Sequence, residues 1–174
     1  MTLRDKGKAL EILLVEENPD DIKLVQAALS ESPIPHRLIV LTDGEQALAY
    51  LRQHVPYGQA VRPDLILLNL NLPRKSGHDV LAEIKQDEAL QSIPVIILSA
   101  SQAATDIQRS YRLHANAYVV KPEDVEGFCH VIQQIEAFWF SIATLFAGEE
   151  ISWQGQTEET LTNGDPQPGS VGRK

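Results

Sequence analysis

The chain has one cysteine, Cys129, among its 174 residues. An internal disulfide is therefore impossible, which fits a reducing compartment, and we expect a cytoplasmic protein. No apolar run approaches the roughly 20 residues that cross a bilayer, and residues 1–17 lack the apolar centre of a signal peptide. We therefore expect no association with a membrane.

Basic residues are also scarce relative to acidic ones. The chain has 15 Lys and Arg against 24 Asp and Glu, which gives a formal net charge of -9 at pH 7. Nucleic-acid binding and docking on anionic lipid both need a concentrated basic surface. The composition therefore argues against both classes of partner.

Five short runs rich in Leu, Ile and Val are present instead. Continuous apolar runs of this length are typical of strands in a parallel sheet that is covered on both faces. The runs are LEILLVE (10–16), HRLIVLT (36–42), DLILLNL (64–70), IPVIILS (93–99) and AYVVKP (117–122).

Segments with helical periodicity separate these runs. They lie near 19–31, 44–54, 77–87 and 102–113, and from 123 onward. Asn18 is the expected N-cap of the first helix, and Pro19 suits its first helical position. Regular alternation of strand and helix implies right-handed crossovers and therefore a doubly wound α/β fold, a three-layer αβα sandwich.

The composition also predicts the domain boundaries. We expect residues 9–147 to form one domain, with residues 1–8 as a flexible N terminus. Residues 148–174 are rich in Gly, Pro, Gln, Thr and acidic residues. Such a segment cannot bury enough apolar surface to fold, so we predict a disordered acidic tail.

Polar side chains stand where four of the predicted strands end. Glu16 and Glu17 end the first strand, Asn69 the third, Ser99 the fourth and Lys121 the fifth. In a doubly wound sheet these ends share one rim. Taken singly, each residue has a purely structural interpretation; Ser99, for example, could cap the next helix. Together they predict a pocket in which carboxylates hold Mg²⁺ and lysine contacts a phosphoryl oxygen.

At these positions the sequence resembles the response-regulator receiver domains of two-component signalling. The resemblance covers about residues 9–146 and rests on LLVEEN, DLILLNLNLP with the following Gly77, VIILSAS and AYVVKP. VEENPDD, NLPRKSG and FWFSIATL are similar to the receiver-only regulators that partner cyanobacterial phytochromes. The resemblance implies a flavodoxin-like (βα)5 fold with the strand order 2-1-3-4-5.

The resemblance also implies a phosphoacceptor and a metal site. The position of Asn69 is that of an aspartate that accepts a phosphoryl group from a histidine kinase. Glu16, Glu17, residue 69 and the backbone carbonyl of Asn71 would hold Mg²⁺. These roles come from the family and not from the spacing of the residues.

Three further positions carry the switching roles of the family. The hydroxyl at Ser99 follows the phosphoryl group, the ring at Tyr118 changes orientation with it, and Lys121 pairs with the acceptor. The family is not one of enzymes, so we expect a signalling protein whose partner is a histidine kinase, which the narrower resemblance makes a bacterial phytochrome.

Two residues depart from the family pattern. Glu17 stands where aspartate is usual, which lengthens that ligand by one methylene. Asn69 is a neutral carboxamide and a poor nucleophile, so residue 69 should not be phosphorylated, Mg²⁺ should bind weakly or not at all, and Lys121 should lose its closest partner. Two origins of Asn69 stay open: a natural pseudo-receiver that acts as an interaction scaffold, or an engineered acceptor substitution in an otherwise active regulator.

The aromatic residues of the last helix predict how the chain contacts partners. Phe138, Trp139 and Phe140 are consecutive, so they cannot all face one side of a helix. At least one should be exposed, and exposed apolar surface often marks an interface. We expect a homodimer through the fourth helix, the fifth strand and the fifth helix.

Two other classes of α/β protein also place acidic or phosphate-binding residues after the first strand. A phosphatase of the haloacid dehalogenase type needs Asp-x-Asp after the first strand, where this chain has VEEN. A flavodoxin needs a Ser, Thr and Gly loop for the FMN phosphate, and here the acidic EENPDD would repel it. Both patterns favour the receiver interpretation.

Overall fold

The structure, a computed structural model, describes residues 9–145. The predicted N-terminal segment 1–8 and the predicted tail 148–174 lie outside the described residues. The described part alternates strands and helices, followed by a π-helical turn: β1 (Leu10–Val15), α1 (Pro19–Ser30), β2 (His36–Leu41), α2 (Gly44–Leu51), β3 (Leu65–Leu68), α3 (Gly77–Gln86), β4 (Val95–Ser99), α4 (Ala104–Arg112), β5 (Ala117–Val120), α5 (Val125–Glu136) and the turn Ala137–Ile142.

The five strands form one parallel sheet in the order β2-β1-β3-β4-β5, which confirms the predicted fold. Leu68 of β3 lies opposite Val15 of β1 and Ile97 of β4, while Ser99 of β4 lies opposite Val120 of β5. This register brings the carboxyl ends of β1, β3, β4 and β5 to a common rim.

Burial on both faces of the sheet explains the continuous apolar runs. In β1, Leu13 and Val15 pack with α2 and α3, whereas Ile12 and Leu14 pack with α1 and α5. All of β3 is buried. Since both side-chain directions meet core, the alternation expected of a half-exposed strand is absent.

The N-terminus of α1 follows the prediction. The side chain of Asn18 accepts hydrogen bonds from the backbone N–H groups of Asp20 and Asp21, at 2.9 and 3.3 Å, and Pro19 opens the helix. This cap starts α1 immediately beyond the rim, so its first turn stands beside the strand ends.

The fourth helix buries little apolar surface. Ile107 and Tyr111 lie four residues apart on α4, but Ile107 is half-buried, Tyr111 is 51% exposed, and only Ser110 of α4 is buried. The ring nitrogen Nε2 of His78 on α3 lies 3.0 Å from the Ser110 hydroxyl. Polar contacts with α3 therefore contribute to holding α4 in place.

The π-helical turn after α5 separates the three consecutive aromatics. Trp139 and Phe140 pack against the core, whereas Phe138 is 49% exposed. The prediction that the three cannot share one side is confirmed. Phe146, which extends the same aromatic series, lies outside the described residues.

No helix within residues 9–145 combines the length and apolar character that crossing a bilayer requires.

Candidate functional site

Backbone hydrogen bonds carry the sheet one residue beyond its strands at the rim. The N–H of Asn69 donates to the carbonyl of Val15 at 3.0 Å, and the N–H of Lys121 donates to the carbonyl of Ser99 at 2.9 Å. Glu16, directly after Val15, is held in the same way by the carbonyl of Leu41. The rim predicted from the sequence therefore exists, and Glu16, Asn69, Ser99 and Lys121 lie on it.

The carboxylate of Glu16 is the centre of the rim. Its side chain is 1% exposed. Oε1 accepts hydrogen bonds from Asn69 Nδ2 and from the backbone N–H of Asn18, both at 3.0 Å, and Oε2 lies 2.5 Å from Lys121 Nζ. Both oxygens of this buried charge thus have partners, as a charge removed from water requires.

The carboxamide of Asn69 is held on both ends. The residue is 7% exposed, and Nδ2 donates to Glu16 Oε1 at 3.0 Å and to the carbonyl of Asn71 at 3.2 Å. Oδ1 lies 3.4 Å from the N–H of Asn71. Because a carboxylate and a carbonyl can only accept, the amino end of the amide must face them.

Lys121 has two carboxylate partners. Its side chain is 8% exposed, and Nζ lies 2.5 Å from Glu16 Oε2 and 2.8 Å from Asp21 Oδ2. Within the described residues Lys121 has no hydrogen bond or ion pair with Asn69, and Glu16 and Asp21 pair with it instead. A site role for Asp21 could not be predicted, because an acid in the first turn of a helix already has a favourable dipole interaction.

Glu17 does not join these contacts. It is exposed, and within the described part of the chain its carboxylate has no hydrogen bond or ion pair. Glu16 and Glu17 were both predicted as metal ligands, but of the two only Glu16 makes hydrogen bonds and an ion pair at the rim within the described residues.

The two switch candidates meet at Ser101. The hydroxyl of Ser99, fully buried, accepts from the N–H of Ser101 at 3.2 Å, and the hydroxyl of Tyr118 donates to the carbonyl of Ser101 at 2.9 Å. Ser101 in turn donates its hydroxyl to Asp106 of α4 at 2.6 Å. Ser99 does not cap α4, whose N-cap is Ala103. The rim is thus connected to α4 through Ser101, a link that sequence reasoning missed.

Residues 69–76, the acceptor loop, are clamped by α2. Asp43, 3% exposed, caps α2 at the N–H of Gln46 and forms an ion pair with Arg74. A Cβ on Gly44 would stand 2.8 Å from Val80 and closer still to the carbonyl of Lys75. Close approach of the loop to α2 therefore requires glycine at position 44.

An ion pair also joins the acceptor loop to α3. Lys75 contacts Glu83, which Arg52 of the α2 end approaches at 2.9 Å. The hydrogen bond from Lys75 lowers the pKa of the Glu83 carboxyl; partial burial opposes this, and Arg52 reinforces it. The loop is thus fixed at both of its neighbouring helices.

The donor set does not fit Mg²⁺ in this arrangement. Mg²⁺ requires near-octahedral oxygen ligands, carboxylates above all. Glu16 uses both oxygens, and the amino group of Asn69 points at Glu16 and at the Asn71 carbonyl, two of the expected ligands. Within residues 9–145, no three His, Cys, Asp or Glu side chains are grouped as metal ligands.

Comparison with known proteins identifies the family of the chain. The family described as "Response regulator receiver domain" matches residues 12–133. Response regulator Rcp1 of Synechocystis is 47% identical over 134 residues, 77% of this chain and 91% of Rcp1.

Two solved structures resemble the fold closely. The phosphorylated cyanobacterial phytochrome response regulator RcpA aligns with a TM-score of 0.79 and 48% identity, covering 80% of this chain and all of RcpA. The Mn²⁺-bound form of Rcp1 aligns with a TM-score of 0.78 and 46% identity, over 79% of this chain and 99% of that one. Receiver domains commonly bind Mg²⁺.

The family match includes all the rim residues, from Glu16 to Lys121. The strand order, the shared rim and the similarity to these regulators lead to the same assignment. The chain belongs to the response-regulator receiver domain family of two-component signalling.

Proposed function

We propose that this receiver signals by binding partners and not by accepting a phosphoryl group at residue 69. The observation that carries the proposal is the buried carboxamide of Asn69, which donates to Glu16 at 3.0 Å at the phosphoacceptor position. No enzymatic activity is part of the proposal.

The chemistry of the amide supports this function. The nitrogen lone pair of a carboxamide is delocalised into its carbonyl, so neither end attacks phosphorus as a carboxylate does. At Asn69 both ends are also engaged, Nδ2 with Glu16 and Asn71 and Oδ1 with the N–H of Asn71. We therefore expect no acyl phosphate at this residue and weak or absent binding of Mg²⁺.

The relatives suggest the partner. RcpA is a cyanobacterial phytochrome response regulator, and Rcp1 shares 47% identity with this chain. We propose that this receiver binds a histidine kinase of the phytochrome type in the cytoplasm. Such binding without phosphotransfer would occupy the kinase and compete with regulators that carry aspartate at the same position.

Acetyl phosphate tests the proposal directly. Incubated with acetyl phosphate and Mg²⁺, the chain should keep its mass, whereas Asn69→Asp should gain one hydroxylamine-labile phosphoryl group. The side chains are nearly the same shape, so the variant differs mainly in nucleophile and charge. Intact-mass spectrometry gives the readout. A hydroxylamine-labile phosphoryl group on the unmodified chain would refute the proposal, and an inert Asn69→Asp would mean that Glu17 also disables the pocket.

We also propose a homodimer through α4, β5 and α5. Tyr111 on α4 and Val125 at the start of α5 are 51% and 58% exposed on the helices that flank β5. Association with a second copy would cover these exposed apolar side chains, which favours a dimer. The face also carries opposite charges, Arg109 and Arg112 in the last turn of α4 and Glu126 in the first turn of α5, which suits a twofold contact.

Light scattering at high micromolar concentration should report a dimer. Val125→Lys should weaken it on the order of tenfold, because an apolar contact is lost and a charge is placed in the interface. Val55→Lys is the matched control, since Val55 is 93% exposed in the loop before β3. A monomer throughout this range, or equal effects of the two variants, would contradict the dimer.

A further inference from the structure

We infer that the carboxamide of Asn69 and the ammonium of Lys121 together take the place of the divalent cation, so that the pocket keeps its closed geometry without metal. The inference deepens the proposed function and rests on it in one respect, that residue 69 is no phosphoacceptor. It assigns Asp21 as the positioning residue for Lys121.

Glu16 is almost completely buried, and a buried carboxylate needs a cation or several donors. The ammonium of Lys121 supplies the charge at Oε2, while Asn69 and the N–H of Asn18 supply donors at Oε1. The rim is therefore neutralised by groups of the chain itself.

Nδ2 of Asn69 stands 3.0 Å from Glu16 Oε1 and 3.2 Å from the carbonyl of Asn71. It thereby joins the end of β1 to the acceptor loop, the two parts that a cation would join. A cation at this place would meet the hydrogens of the amide.

Without metal, rotation of the amide is unfavourable. With Oδ1 facing Glu16, two oxygen acceptors would stand at about the 3.0 Å of the present contact, and the hydrogen bond from the N–H of Asn71 would be lost. Unpaired buried acceptors are costly, so the metal-free orientation is strongly preferred.

The second partner of Lys121, Asp21, lies 2.8 Å away and is 26% exposed. Asp21 holds the ammonium between α1 and Glu16, at the carboxylate oxygen that Asn69 does not contact. With Lys121 in this place, both oxygens of Glu16 stay occupied.

Mg²⁺ titrations followed by thermal unfolding and by calorimetry test the inference. The unmodified chain should release no binding heat and shift by less than about 1 °C in millimolar Mg²⁺. Asn69→Asp sets two carboxylates against each other, so it should melt lower without metal and recover by roughly 5 °C with Mg²⁺. In that background, Glu16→Gln should abolish the gain.

Asp21→Asn and Asp20→Asn form a matched pair for the positioning role. Both remove one acid from the first turn of α1, but the side chain of Asp20 is 84% exposed and, within residues 9–145, contacts only Lys23, at 3.7 Å. In the Asn69→Asp background, Asp21→Asn should change the apparent affinity for Mg²⁺ by roughly tenfold, and Asp20→Asn should leave it unaltered. Equal effects would overturn the role of Asp21.

The outcomes separate this inference from the proposed function. An unmodified chain that binds Mg²⁺ as Asn69→Asp does, yet gains no phosphoryl mass, would overturn the metal-free pocket and leave the proposed function standing. A phosphorylated unmodified chain would overturn the proposed function itself. Should Glu16→Gln fail to fold, the titrations of the unmodified chain and of Asn69→Asp decide between the first two outcomes.

Discussion

Lys121→Met is expected to lower the free energy of unfolding by about 3 kcal/mol. The variant keeps the apolar stem of the side chain, one atom shorter, but leaves Glu16, 1% exposed, without its cation. Breaking a buried pair from one side costs about 3–5 kcal/mol, and Glu16 retains donors from Asn18 and Asn69, which places the effect at the lower end. Urea unfolding measures the difference.

Lys23→Met is the control for this variant. Lys23 is on α1, its side chain is 75% exposed, and its pair with Asp20 at 3.7 Å is a surface contact. Such pairs contribute at most about 1 kcal/mol, so the control should be close to neutral. Adding Glu16→Gln to Lys121→Met should restore part of the loss, because the unpaired charge is then gone. Equal losses in the two methionine variants would contradict the buried network.

The fold could be predicted because the strand sequences are continuously apolar, which indicates burial on both faces of the sheet. Residues 65–68 are apolar at every position because both faces of β3 meet helices. The helices between the strands instead repeat their apolar residues with the period of an α-helix. The π-helical turn at Ala137–Ile142 could not be predicted. Three aromatics in sequence indicate only that some are exposed, and not how the backbone divides them.

The candidate site was predictable where residues stand at strand ends. Chain position alone places Glu16, Asn69 and Lys121 on one rim once the sheet is parallel. The role of Asp21 could not be predicted, because its contact with Lys121 joins positions 100 residues apart. Its place in the first turn of a helix also has a local explanation.

The contacts of Ser101, and those of Asp43 with the acceptor loop, could not be predicted for a different reason. Ser101 acts through its backbone carbonyl and N–H, and Asp43 through the approach of α2 to the acceptor loop. Neither interaction follows a sequence period, because any residue type has a carbonyl and a capping aspartate is common. Only the three-dimensional course of the loops shows these links.

Gly77→Ala is expected to destabilise the domain by about 3 kcal/mol, the upper end of typical overpacking costs. Gly77 is the first residue of α3, and its N–H donates to the carbonyl of Leu70 at 2.8 Å. A Cβ there would stand 2.7 Å from Leu70 Cα and 2.9 Å from the carbonyl carbon of Asn69, and closer to its oxygen. These are backbone atoms, so no side-chain rotation relieves the contact.

For Gly77→Ala, close contact and helix propensity predict stability changes of opposite sign. Helix propensity alone favours alanine over glycine by about 1 kcal/mol, so a helix start without close contacts would gain stability. Gly58→Ala is the control, since a Cβ at Gly58 meets no atom of the described residues within 4 Å, and it should be neutral or slightly stabilising. Urea unfolding of both variants measures the difference. If Gly77→Ala were as stable as the unmodified chain, the tight packing of α3 on the acceptor loop would be wrong, and with it the placement of the Asn71 carbonyl against the Asn69 amide.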